Sequence, residues 1–305
     1  SLASNDVGSG AGVVSAQIMN SGSAVSATLG GVEASLVAST DIAGSQLDMT
    51  GNLQRAIAYG GSVSNTLTVD SNSANLAPST NRGSGIVYES SDPLAFSNAS
   101  QPVVTAAFGV LSDQSTQANV IASATASRIG VTVEGDAVAS TVSNDANGYV
   151  AAAYGNDAAT GAMLALGNVD AGGFAAIGAI ANTQAAGDDT SRIAATATGG
   201  NVFNTTIEDN VTGSSVSTSG NAIQAVAAGN RATGNRLTVD GNNIATVSGL
   251  VVPGVSAQNG PGLALLDANA AFSVQNAQSA SGEISASQLD DAVNPTTAAA
   301  VLTTI

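Results

Sequence analysis

Asp188 and Asp189 form the best-placed pair of adjacent carboxylates in this 305-residue sequence. Two carboxylates at a defined separation suffice for glycoside hydrolysis, one giving a proton while the other attacks or activates water. Enzymes that cleave acidic polysaccharides add His, Lys or a basic segment, and the chain has no His, Lys, Cys or Trp. Acid–base work near neutral pH and covalent catalysis draw mostly on those absent side chains. No catalytic residue is therefore predicted. Asp188 and Asp189, which follow Gly187, are expected in a solvated turn.

Other oxygen-bearing groups invite the same test. Glu208-Asp209-Asn210 and Asp240-Gly241-Asn242 offer hard ligands of the kind calcium takes. Neither an EF-hand loop nor the glycine-rich calcium-binding nonapeptide is present, and Asp at a strand end also bonds to its own turn. No metal or cofactor is expected. Thr-x-Thr pairs such as Thr66-Leu67-Thr68 and Thr196-Ala197-Thr198 suit an ice-ordering face, but they fall out of register with the repeat described below. Tyr88, Phe96 and Phe108 are the candidate binding residues, either as a patch for carbohydrate stacking or protein docking, or as a cluster that holds a loop in place.

The elements that carry these residues follow from composition. Six arginines stand against 22 acidic residues, for a net charge of -16. That excludes the basic patch a nucleic-acid partner requires. Only 9% of residues are charged while 44% are hydrophobic, and mean hydropathy is +0.23, unlike a disordered chain. Aromatic residues make up 3%, too few for a thick globular core, so a thin repetitive core of small side chains is expected. No apolar run is long enough for a membrane-spanning helix.

Repeats supply the architecture. GGSVSNTLTVD at 60–70 matches GGNVFNTTIED at 199–209, and GNRATGNRLTVDGN at 229–242 repeats the pattern with one residue inserted. GNLQRAIAYGG at 51–61, NGYVAAAYGN at 147–156 and GNAIQAVAAGN at 220–230 form a second family of segments. Apolar residues alternate within these runs, and Gly or Asn punctuates them, which predicts strands joined by tight corners. Combined, they give a unit of about 22 residues with two strands and two turns. The predicted fold is all-β, a parallel β-solenoid (β-helix) with about 22-residue coils and one inserted loop or cap. Roughly 13 such coils would make a rod of about 60 Å. Inward Asn is expected to stack in ladders at the corners.

Proline cannot donate to a central ladder, and residues 103–252 contain none. The expected organisation is N-terminal coils at 1–73, an irregular insertion or cap at 74–119, a regular body at 120–250, and C-terminal coils at 251–305. VVPGVSAQNGPG, at 251–262, reads as a second excursion, and NPTTAAAVLTTI as a β-prone edge strand able to pair with a partner. The opening Ser1-Leu2-Ala3 predicts a processed mature form.

Gly-Asn starts, Ala-x-Ala strands, GNRATGNRLTVDGN-like turns and the lack of Cys and Lys resemble the β-strand-repeat surface proteins of alphaproteobacteria. Among these the chain is most similar to the holdfast-anchor (HfaD-like) family. The resemblance implies a secreted, cell-surface, non-enzymatic protein of structural or adhesive role, with no catalytic residues to carry over. The expected partner is itself or another surface protein, met through strand edges. A polysaccharide-binding module with its site in 74–119 is the alternative.

Overall fold

The computed structural model describes residues 1–7, 10–75, 86–87, 103–104, 106–170, 176–198, 200–244, 272–288 and 300–304. Among these every regular element is a strand. The chain begins with β1 (Leu2–Val7) and then makes one full turn through β2 (Ala11–Met19), β3 (Ala24–Gly30), β4 (Glu33–Ala38), β5 (Ile42–Ala43), β6 (Gln46–Thr50) and β7 (Leu53–Asn75). A short antiparallel pair follows, β8 (Ile86–Val87) with β9 (Val103–Val104). The second turn runs through β10 (Ala106–Thr116), β11 (Asn119–Thr125), β12 (Arg128–Val133), β13 (Ala137–Val138), β14 (Thr141–Asp145) and β15 (Gly148–Asp170). The third comprises β16 (Ala176–Ala186), β17 (Arg192–Thr198), β18 (Val202–Ile207), β19 (Val211–Thr212), β20 (Ser215–Ser217) and β21 (Ala222–Ile244). A fourth opens with β22 (Phe272–Ala280), β23 (Glu283–Ser287) and β24 (Ala300–Thr304).

Each strand pairs in parallel with its counterpart one turn on, giving six stacks such as β1-β7-β15-β21, β2-β10-β16-β22 and β3-β11-β17-β23. The fold is a parallel β-solenoid, as the alternation and turn residues predict. Its coil is much wider than predicted. Asn52 and Asn147 sit above one another 95 residues apart, Asn147 and Asn221 74 apart, so an uninterrupted turn takes 74 residues rather than about 22. Four strand layers separate the two ends by about 14 Å, not the 60 Å of a slender rod. The physical reason is that every face has the same strand-and-corner chemistry, so segments resemble one another around a coil as well as up the stack. GGSVSNTLTVD lies on β7, whereas GGNVFNTTIED leads into β18 on another face.

The coil also resumes inside the expected 74–119 insertion, because β10 pairs along its length with both β2 and β16. The 251–262 excursion lies outside the described residues. The C-terminal strand β24 does sit at a sheet edge, paired on one side with β18.

The core is divided along the wide coil. One compartment packs Leu67, Val69, Phe108, Val110, Leu164 and Ile180 between the distal halves of the long strands and the β2 stack. A second, lined by Ala58, Val120, Ala122, Ala151, Ile193 and Ala195, lies between their proximal halves and the β3 stack. Small side chains fill it, which is why so alanine-rich a sequence can bury a core. Tyr149 and Phe203 fill a third, with ring centroids 4.8 Å apart.

Corners are held by columns of matching residues. Gly31, Ala126 and Gly200 each have positive φ, as do Gly44, Ala139 and Gly213, and Gly51, Ala146 and Gly220. Beside the last column the expected asparagine ladder is present. Asn147 Oδ1 accepts from the backbone N–H and side-chain amide of Asn52 at 2.9 and 3.0 Å, and Asn221 Oδ1 accepts from the N–H of Asn147 at 2.8 Å. Such ladders satisfy corner N–H groups that no strand partner reaches.

Candidate functional site

The residues singled out in the sequence scatter. Phe108 is fully buried in the first core compartment and contributes packing, not a docking surface. Tyr88 and Phe96 lie outside the described residues. Asp188 caps its own turn, its Oδ1 accepting from the backbone N–H and hydroxyl of Thr190 at 2.8 and 2.9 Å. Those bonds hold its carboxyl below the usual carboxylate range. Asn210 donates its N–H to Asp136 Oδ1 at 2.8 Å, so the Glu208-Asp209-Asn210 corner is committed to stacking between turns. Among the described residues no group of three or more acidic side chains is placed to hold a metal ion.

Among the described residues, aromatic and charged side chains converge on the long-strand stack. Tyr59 and Tyr154 stack at 5.3 Å, and the Arg231 guanidinium lies 4.2 Å from the Tyr154 ring centre while bonding both oxygens of Asp157 at 2.7 Å. Both faces of Tyr154 are therefore occupied, by Tyr59 and by Arg231. The cluster clamps three turns together and leaves no open ring face on Tyr154 for a sugar. A shallow groove of about 300 Å³ follows the Gly51, Ala146 and Gly220 corner, bordered by Asn52, Asn147 and Gln224. Its lining has no charged group and no aromatic ring.

The surfaces that stand out are the two ends of the stack. Val13, Val110, Ile180 and Val274 form one column across four turns, and Val25, Val120, Ile193 and Ile284 another. Val110, Val120, Ile180 and Ile193 are buried, yet Val274 is 47% and Ile284 40% exposed, and among the described residues no further turn stacks on them. Beside the first column runs a ladder of glutamines. Gln114 Nε2 donates to Gln17 Oε1 at 2.8 Å, Gln184 Nε2 to Gln114 Oε1 at 2.8 Å, and Gln278 Nε2 to Gln184 Oε1. The same amides reach across the core to the long strands. Gln17 donates to Ser62 O at 2.8 Å, Gln114 to Asp157 O at 3.1 Å and Gln184 to Arg231 O at 2.9 Å. Gly61 makes room for this, since a Cβ there would lie 3.2 Å from both Gln17 Oε1 and Gln114 Nε2.

This ladder is absent from the residues singled out by sequence, though it leaves a trace. VVSAQ at 13–17, VLSDQ at 110–114, IANTQ at 180–184 and VQNAQ at 274–278 share a β-branched residue, then Ser or Asn, then Gln at alternate positions. No protein-family model, curated protein or solved structure matches the chain.

Proposed function

We propose that this chain is a structural, non-enzymatic element of a bacterial cell surface that joins other molecules through the open strand edges at its ends. The uncovered core columns carry the reading. A buried Val or Ile side chain is stabilised by about 1.5–3 kcal/mol relative to an exposed one, and Val274 and Ile284 stand at the positions where the next turn would bury them. Unpaired parallel edges add rows of backbone donors and acceptors that template another strand. A surface setting is supported by the low content of charged residues, the scarcity of basic ones and the net charge of -16. An adhesive or anchoring role fits a chain whose bonded carboxylates serve its own corners, turns and neighbouring strands.

Sedimentation velocity and negative-stain microscopy over a concentration series test this. Assemblies heavier than one chain are expected, and Val274→Lys with Ile284→Lys, which place charge on the open edge, should abolish them. A chain that stays a single particle at every concentration, with its folded spectrum intact, overturns the proposal.

A further inference from the structure

The partner of one end is the other end of a second copy. We infer that the chains associate head to tail, β22–β24 of one copy stacking on β2–β4 of the next, an inference that rests on the edge-pairing function proposed above.

The glutamine ladder gives the ends a direction. Each amide-to-amide bond described in it runs from Nε2 of the later turn to Oε1 of the earlier one. Gln17 therefore presents a spare Nε2–H at the first edge, its other N–H being held by Ser62 O. Gln278 presents Oε1 at the last edge, and among the described residues neither spare group has a partner. Head-to-tail stacking joins donor to acceptor and continues the ladder. Head-to-head contact opposes two donors and tail-to-tail two acceptors, each leaving a desolvated polar atom unpaired.

Side-chain columns agree with the same register. β2 and β22 are both nine residues long, and their shared partners place Ala11 over Phe272, Val13 over Val274 and Gln17 over Gln278. On the adjacent face Val25 falls over Ile284, Ser26 over Ser285 and Ala27 over Ala286. Apolar meets apolar in the Ala11/Phe272, Val13/Val274, Val25/Ile284 and Ala27/Ala286 columns, whose interior members are buried, whereas Ile18 falls over Ser279. β1 fits too. It already covers Val69–Ala74 of its own β7, and in the stacked register it lies over the distal half of β21 in the preceding copy.

The chain has no native Cys, so cross-linking reads the register directly. Ser26 and Ser285 share a column three layers apart, about 14 Å and far beyond disulfide reach within one chain. Chains bearing Ser26→Cys and chains bearing Ser285→Cys are oxidised separately and mixed. Head-to-tail stacking predicts disulfide-linked dimers in the mixture and at least tenfold fewer in either alone. Equal cross-linking of one variant alone overturns the polarity while leaving edge pairing in place. A mixture that neither cross-links nor sediments above one chain overturns edge pairing as well. Gln17→Glu keeps an acceptor for Gln114 but turns the outward donor into a second acceptor. It should raise the concentration needed for half-assembly at least tenfold, and an unchanged value in a folded variant removes the ladder from the argument.

Discussion

Ala126, Ala139 and Ala146 occupy the second turn of three corners whose first and third turns carry glycine, and all three have φ between 47° and 55°. A non-glycine residue pays roughly 1–2 kcal/mol in this left-handed region, because Cβ crowds the following carbonyl. Glycine removes that strain at the cost of a more flexible unfolded chain, about 0.4–1 kcal/mol. Ala126→Gly, Ala139→Gly and Ala146→Gly together should raise stability by about 1–3 kcal/mol, read as a higher urea midpoint with unchanged slope. Asp113 is strained electrostatically. It is 6% exposed, and burial pushes its carboxyl above the usual 3.8 despite the 2.6 Å bond from the Thr183 hydroxyl. A folded pKa above the unfolded one means that stability is greatest below 3.8 and declines as pH rises through the folded value. Asp113→Asn keeps an oxygen for Thr183 and drops the buried charge. Its melting temperature should exceed that of the parent at pH 7 and converge with it near pH 3.

At the scale of the element, the three 23-residue strands β7, β15 and β21 turn past one another at Gly60, Gly155 and Gly229. A Cβ at Gly155 would lie 2.4 Å from Gly229 O and 2.8 Å from Ile193 Cδ1, in a layer held from both sides. Gly155→Ala must shift backbone, and a cost of about 3 kcal/mol is expected from overpacking, measured as a lower denaturant midpoint. The strands, their corners and the asparagine ladder are legible in the sequence, because alternation and Gly-Asn punctuation are local properties. The coil length was present too, in GNLQRAIAYGG, NGYVAAAYGN and GNAIQAVAAGN, which stack in register at Asn52, Asn147 and Asn221. Pooling them with GGNVFNTTIED, a strand entry on another face, mixed repetition around the coil with repetition along the axis and produced the short period. The inserted residue in GNRATGNRLTVDGN was a true signal. Pairing of β15 with β21 shifts by one residue there, beside Gly234 at φ 66°. The glutamine ladder was harder to see, since a Gln among polar strand residues acquires meaning only when the turns are aligned.

For the whole molecule, 22 acidic residues face six arginines, and the described ion pairs all join adjacent turns: Arg128 with Glu33, Arg192 with Glu283 and Arg231 with Asp157. The remaining charge repels itself across turns stacked about 4.8 Å apart, which works against both the fold and its stacking on another copy. Some carboxylates nevertheless depend on ionisation. Asp136 is held below 3.8 by the N–H and side-chain amide of Asn210, and Asp145 by the hydroxyl of Ser217 and the N–H and hydroxyl of Ser219. A folded pKa below the unfolded one contributes stability that is present above 3.8 and lost as pH falls through the folded value. The two effects act in different windows. Acidification from pH 7 toward 4.5 relieves repulsion as carboxylates begin to protonate, while the corner aspartates stay charged and bonded. The melting temperature should therefore rise to a maximum on the acid side of neutral and fall steeply below pH 3.8. Added salt should raise it at pH 7 but have little effect near that maximum, because screening replaces the same repulsion that partial protonation removes. A melting temperature that falls monotonically from pH 7 would mean that the bonded corner carboxylates outweigh the repulsion of the whole chain.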